Sequence, residues 1–316
     1  MRTILLWSEE PQPYLDAAKR AGLTDQIEFV VVPPRENPPD DLLARIDGML
    51  AWRPPAGLAQ RAPRLTWIQS LTGGCEQWLA SPDLPRHVPL CCARGTHRVQ
   101  MTEHILAALF VLSKDMPGIV RDQAVRRWRR RVNPVLAGTT LGILGLGAIG
   151  AEVAKKAAAL DMRVIGTRRT PAPMDGVAEV YGPDGIDAVL AESDHVLLLL
   201  PSTSSTRGIM EAKRLARMKP GAVLLNFGRG DLVVDADLVD AVQRGIIAGA
   251  VLDVYRTEPL PAEHPFWTTE GILVLPHVGG LHPGRDAIVA DLFVDNLRRS
   301  LAGQPLREVV DPVRGY

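Results

Sequence analysis

The most legible chemistry lies between Thr140 and Gly150, Thr-Leu-Gly-Ile-Leu-Gly-Leu-Gly-Ala-Ile-Gly. An apolar run leads into G-x-G-x-x-G, and Val153, Ala154, Ala157, Ala158 and Leu160 follow at helical spacing. Gly145 permits a tight turn, Gly147 lets the backbone approach a pyrophosphate, and Gly150 lets helix and strand pack closely. The helix that opens at Ala148 and Ile149 offers N–H groups and a positive dipole end to an anion. A ligand-free glycine turn has the same spacing, but the strand, helix and next strand around this one favour dinucleotide binding. That next strand, 163–167, ends at Thr167 and runs into Arg168, Arg169 and Thr170. Arg168 stands 18 residues past Gly150, where an NAD-specific chain carries an acid for the ribose 2′-hydroxyl. Guanidinium groups pair with phosphate instead. The expected cofactor is NADP(H), with NAD(H) possible. The competing reading makes these arginines solvated loop charges.

Three later segments each close an apolar run. Asn226-Phe227-Gly228-Arg229 follows 223–225, Asp253 through Glu258-Pro259 follows 248–252, and Pro276-His277-Val278-Gly279 follows 272–275. They bring a cation, a carboxylate and an imidazole to one expected sheet edge. Taken singly, Arg229 reads as a surface ion-pair partner, Glu258-Pro259 as a turn and His277 as a hydrogen-bonded core histidine. Cys75, Cys91 and Cys92 have no metal spacing, so no metal is expected, and their odd number suits a reducing compartment.

The elements that must position these residues alternate. Strands are expected at 3–7, 28–32, 48–51 and 65–69, with helical stretches at 14–21 and 41–46 between them. Proline pairs at 33–34, 38–39 and 54–55 mark loops. A helix is expected over 99–112. A second series of strands follows at 140–145, 163–167, 195–200, 223–226, 248–252 and 272–275, with helices at 148–160, 211–218 and 235–244. The last helix is expected over 284–302. Strands alternating with helices imply parallel sheets covered on both faces. The fold class is therefore α/β, with two doubly wound parallel-sheet domains, 1–96 with 285–316 and 97–284. The default site is a cleft between them. The 316 residues carry 36 basic and 36 acidic side chains, which argues against a general nucleic-acid binder. No apolar run approaches the length of a membrane helix, and the short apolar start at residues 3–7 does not suit a signal peptide. A cytoplasmic protein is expected.

In the order of these motifs the chain resembles the D-isomer-specific 2-hydroxyacid dehydrogenases. The glycine loop, Leu199-Leu200-Pro201 with Thr203 and Thr206-Arg207-Gly208, N-x-x-R-G, D-V-x-x-x-E-P, P-H-x-G-G and Asn296-Leu297 carry the resemblance. Trp52-Arg53-Pro54-Pro55 and Trp67-Ile68-Gln69-Ser70 are most similar to the glyoxylate/hydroxypyruvate reductase branch. The resemblance implies a Rossmann cofactor domain and a flavodoxin-like substrate domain. It implies that Arg229 holds the substrate carboxylate and carbonyl, that His277 is the acid/base, and that Glu258 accepts a hydrogen bond from it and raises its pKa. It places Asp253 near the nicotinamide, and Leu200, Pro201, Thr206, Phe227, Gly228 and Gly279 along the cofactor.

Gln69 through Glu76 aligns with the family loop whose N–H groups bind the substrate carboxylate, implicating Thr72, Gly73 and Gly74. The family usually has Ala-Gly-Val-Asp where this chain has Gly73-Gly74-Cys75-Glu76. Cys75 reads as a small packed residue rather than a nucleophile. Trp52 and Arg53 are candidates to border the substrate side chain. Five arginines surround Trp128 between 126 and 131. The resemblance places that run in an arm packing on a second subunit, so a homodimer is expected rather than a nucleic-acid contact. The leading function is reduction of glyoxylate or hydroxypyruvate. The alternatives are a 3-phosphoglycerate-type dehydrogenase and a non-enzymatic dinucleotide sensor that binds protein partners.

Overall fold

In the computed structural model, which describes residues 1–315, the chain divides into two compact units. One comprises Met1–His97 and the residues from His282 onward; the other is Arg98–Leu281. The sequence pattern puts the breaks after 96 and 284, whereas the units divide after His97 and Leu281.

The first unit runs β1 (Arg2–Trp7), α1 (Gln12–Arg20), β2 (Ile27–Val32), α2 (Asp40–Leu43), β3 (Gly48–Ala51), α3 (Leu58–Arg61), β4 (Trp67–Ser70), α4 (Glu76–Ala80) and β5 (Leu90–Cys91). Its strands pair in the order β2-β1-β3-β4-β5, all parallel. The alternation of β1 shows why both faces need helices. Leu5 and Trp7 enter a core with Leu42, Leu58 and Trp78, while Ile4 and Leu6 enter one with Tyr14, Ala18 and Phe293. A strand apolar on both sides suits a doubly covered parallel sheet.

The second unit runs α5 (Arg98–Ser113), α6 (Met116–Ala124), β6 (Thr140–Leu144), α7 (Ala148–Ala158), β7 (Arg163–Thr167), β8 (Glu179–Tyr181), α8 (Ile186–Glu192), β9 (His195–Leu198), α9 (Ala212–Leu215), β10 (Val223–Asn226), α10 (Asp235–Gln243), β11 (Gly249–Leu252) and β12 (Ile272–Val274). These seven strands are also all parallel, in the order β12-β11-β10-β9-β6-β7-β8. One core lies under α5 and α7, the other under α8 and α10. The last helix, α11 (Arg285–Leu301), returns to the first unit and packs on α1. There Phe293 meets Tyr14 edge-on at 5.9 Å and stacks on Trp67 at 5.8 Å.

The sequence pattern misses β5 and β8, two short edge strands whose pairing comes from the sheet rather than from periodicity. Helix α9 is also shorter than the expected 211–218. Among the described residues, no helix is long and apolar enough to cross a membrane.

Candidate active site

Parallel pairing sets the site of the second unit in one row. Leu144 pairs with Thr167 and Leu198, Leu198 with Asn226, Asn226 with Leu252, and Leu252 with Val274. Gly145, Arg168, Phe227 and Asp253 each come next after a member of that row, and His277 comes three residues after Val274. They therefore share the carboxyl edge of one sheet. The strand order reverses between β6 and β9, the position at which such sheets bind ligands.

At that reversal Gly145 has φ +113°, and a Cβ there would press on the carbonyl of Leu199. A Cβ on Gly150 would meet the carbonyl oxygen of Gly145 and the Ile143 side chain. Both glycines are thus demanded by the protein's own packing. Gly147 differs: it caps α7 with ordinary φ −89°, and a Cβ there would meet nothing within 4 Å. Its missing side chain leaves open space at a helix N-terminus, which fits the close approach of a pyrophosphate. Thr167 is buried and Arg168 half-buried at the end of β7, and Arg169 and Thr170 are exposed. The Arg168 backbone N–H bonds to the Tyr181 carbonyl at 3.0 Å. Thr206 closes the neighbouring turn by donating to the Pro201 carbonyl at 2.6 Å, beside half-buried Leu200.

The turn bearing Arg229 is braced by Asn226, a fully buried side chain. Its Nδ2 donates to the Arg229 carbonyl at 2.9 Å, and its Oδ1 accepts from Gly228 N–H at 3.1 Å. Gly230 lies so close to Tyr255 that any Cβ would collide with that residue's backbone. This packing joins the Arg229 turn to the segment that carries Asp253 and Glu258. Arg229 itself is half-buried, with Nη1 donating to the Gly228 carbonyl at 2.7 Å.

His277 has a left-handed backbone, φ +53°, which is unusual for a residue with a side chain. Asp253 holds it there. Its two carboxylate oxygens accept the N–H groups of Val278 and Gly279 at 2.8 and 2.9 Å. Asp253 is 1% exposed, and burial pushes its carboxyl up from the usual range, against the pull of those two N–H donors. Gly279 admits this contact because a Cβ would press on the Asp253 carboxylate, the Met101 sulfur and Phe227. Glu258 in turn reaches His277 Nδ1 with one oxygen at 2.6 Å and accepts Tyr255 N–H with the other at 2.9 Å. The buried Tyr255 hydroxyl lies 2.6 and 2.8 Å from the Leu252 and Leu275 carbonyls, tying β11 to the end of β12. The imidazole remains half exposed, so its outer nitrogen is reachable.

A family model of the D-isomer specific 2-hydroxyacid dehydrogenase NAD binding domain matches residues 106–279. The chain belongs to the D-isomer specific 2-hydroxyacid dehydrogenase family. It is 33% identical over 311 residues to glyoxylate/hydroxypyruvate reductase A of Serratia proteamaculans, covering 96% of this chain and 98% of that one. The solved D-isomer specific 2-hydroxyacid dehydrogenase of Xanthobacter autotrophicus Py2, in complex with NADPH and MES, has a TM-score of 0.88 and 31% identity, covering 100% of this chain and 99% of that one. An NADPH-dependent glyoxylate/hydroxypyruvate reductase from Sinorhizobium meliloti, in complex with NADP and sulfate, has a TM-score of 0.88 and 30% identity over all of both chains. The two parallel α/β sheets are those of this dehydrogenase family, and the protein is an oxidoreductase.

In the first unit, Thr72 follows β4. Its N–H and hydroxyl meet Ser70 Oγ at 3.2 and 2.8 Å, its hydroxyl reaches the Gly74 carbonyl at 2.5 Å, and its own carbonyl accepts Ala93 N–H at 2.8 Å. Gly73 lies beside the Ala93 carbonyl. The Cys92 sulfur, followed by burial, holds the Cys75 thiol protonated, as expected of a packed residue. Arg53 is exposed and lies 5.9 Å over Trp7. In the basic run, Arg131 binds Asp115 at 2.6 Å and Asp122 at 2.5 Å, and Arg127 pairs with Asp122 at 3.7 Å, so two of the five arginines are spent inside the arm. The sequence reading overlooks Asn226, Tyr255 and Arg285 as structural partners of the site. For Asn226 the motif itself was the signal; nothing in the sequence marks the other two. Among the described residues no cluster of His, Cys, Asp or Glu could hold a metal.

Proposed function

We propose that the protein is an NADPH-dependent reductase of small 2-oxo acids of the glyoxylate and hydroxypyruvate class. The Glu258–His277 contact of 2.6 Å carries the reading. An ionised Glu258 fixes the Nδ1 proton and leaves Nε2 as the nitrogen that exchanges a proton with substrate. His277 then donates that proton to the developing alkoxide during reduction and takes it back during oxidation. Arg229 presents a planar fork that suits the carboxylate and polarises the carbonyl. Asp253 supports the cofactor side and holds the His277 backbone. When bound, the dihydronicotinamide supplies the hydride that reaches C2 of the acid.

The residues fit such a cofactor. Gly145, Gly147, Ala148, Ile149 and Gly150 receive the pyrophosphate, and Thr167, Arg168, Arg169 and Thr170 receive the 2′-phosphate. Leu200, Pro201, Thr206, Phe227, Gly228 and Gly279 flank the remainder. The NADPH and NADP complexes of the two solved relatives support this choice. In the first unit we assign the substrate carboxylate to Thr72, Gly73 and Gly74, and keep Arg53 as a candidate for the far end of the acid. The homodimer reading rests on the arm, where Phe110, Met116, Val120, Val125, Trp128 and Val135 are exposed; such a patch marks an interface. A cytoplasmic setting suits three free thiols.

The test is a panel of 2-oxo acids with NADPH and NADH side by side, with sedimentation of the same preparation. Glyoxylate and hydroxypyruvate should turn over fastest, with NADPH favoured, and the protein should sediment at twice its chain mass. NADPH binding without turnover of any acid would favour the sensor reading, and higher rates with NADH would end the arginine argument.

A further inference from the structure

Arg285 opens α11 and is only 9% exposed, yet it is far from idle. Its Nη2 donates to the carbonyl of Leu71, the residue directly before Thr72. Its Nη1 donates to Asp286 at 2.8 Å, and Asp286 accepts the hydroxyl of fully buried Tyr14 at 2.7 Å. Its guanidinium carbon stands 4.4 Å over the ring of Trp52, which follows β3 and is 41% exposed. One planar cation thus joins three things: the loop after β4, the indole after β3, and an anchor in the α1–α11 core. Arg53 adjoins Trp52 in sequence, but the cation that touches the loop is Arg285, from the far end of the chain.

A guanidinium suits this task for a geometric reason. Its donors lie in one plane, so two can reach separate acceptors while the face stacks on an aromatic ring. Lysine carries the same charge but has neither the fork nor the flat face. Its neutralisation by Asp286 argues against use as a free anion site. What remains is its hold on the Leu71 carbonyl and on the Trp52 ring.

We propose that Arg285 is a positioning residue for substrate: it fixes the Thr72–Gly74 loop and the Trp52 ring, and so sets affinity for the 2-oxo acid without touching the cofactor site. This rests on the assignment of that loop to the substrate carboxylate. Residues that hold a binding loop act chiefly through geometry, and small displacements weaken the contact they support.

Two readouts test it on the full-length protein. Hydrogen exchange over residues 70–76 reads the hold on the loop with no substrate present; Arg285→Ala should speed it at least tenfold. Steady-state kinetics then read the consequence. The KM for glyoxylate should rise about tenfold in Arg285→Ala and Arg285→Lys, with the KM for NADPH within twofold of the parent. Millimolar guanidinium should restore the glyoxylate KM of Arg285→Ala, while sodium chloride of equal ionic strength should not. A purely structural role would lower the melting temperature and leave KM and rescue unaffected, which would overturn the proposal, as would unchanged exchange over 70–76. If exchange rises but glyoxylate KM stays put in an active enzyme, the loop is not the carboxylate site, and the failure lies with that assignment.

Discussion

At the scale of single residues, the proposed mechanism turns on which nitrogen of His277 carries which proton. Glu258 has one oxygen on Nδ1 at 2.6 Å and the other on Tyr255 N–H at 2.9 Å, so its orientation is set from both sides. Glu258→Gln keeps the volume but loses the ionised acceptor. Its amide can donate to Nδ1, which puts the proton on the wrong nitrogen and removes the partner that stabilises an imidazolium. We expect kcat to fall about 10²- to 10⁴-fold, the usual range for a positioned acid/base, with the NADPH dissociation constant within twofold. Stopped-flow hydride transfer and a fluorescence titration measure the two; a kcat within threefold of the parent would remove Glu258 from the mechanism. Arg229, Glu258 and His277 stand out in the sequence because each falls in a short motif that follows an apolar run; residue type alone marks only the histidine, one of seven, since arginine is common in this chain. The left-handed backbone of His277 was not readable. It depends on a carboxylate 24 residues earlier that spends both oxygens on backbone N–H groups, and no local pattern encodes such a contact.

Among elements, the apolar strands were legible, down to the three-residue edge strand β12, whereas the edge strands β5 and β8 were not. β6, β7, β10 and β11 are apolar runs that bury both faces, so their pattern is their own. β5 has two residues and β8 three; their pairing is imposed by a neighbour. The glycine loop shows how sequence and packing divide the work. Gly145 and Gly150 are required by protein contacts, whereas the space around Gly147 is empty. Gly147→Ala should therefore leave the thermal midpoint within about 1 °C, since its φ is ordinary and no atom lies in the way. The same methyl group should weaken NADPH binding at least tenfold by filling the space a pyrophosphate needs. Calorimetric melting and isothermal titration separate these effects. Equal NADPH affinity in the variant would mean that the anion does not approach this helix end. Gly150→Ala, by contrast, should cost stability before any ligand is added, because its Cβ would press on the Gly145 carbonyl.

For the molecule as a whole, equal numbers of acidic and basic residues leave its acid response to individual buried groups. His97 is the clearest. Burial first, then the charges of Arg285 and His282, push its imidazole down to about 4, against weaker pulls from the Ala93 carbonyl and Asp286. His195, at the start of β9 in the other unit, is lowered by burial as well, with Asp194 opposing. A histidine whose folded pKa lies below its unfolded value binds fewer protons when folded. Stability then rises with pH through that window, and it falls as pH drops from about 6.5 toward 4. For His97 the full loss is on the order of 3 kcal/mol. That is a large share of the ~5–15 kcal/mol that holds a domain folded. The first unit should therefore be acid-labile. His97→Asn keeps a donor beside the Thr96 hydroxyl, 2.7 Å from Nδ1, and removes the titration. Urea unfolding followed by a probe in the first unit, at pH 7 and pH 5, measures the difference. The parent should lose stability on acidification, and the variant should lose less by about 2 kcal/mol, the share of the ~3 kcal/mol already spent at pH 5. If both lose the same amount, His97 is not the proton-linked group, and the acid response must come from carboxylates that the ion pairs of this unit hold charged.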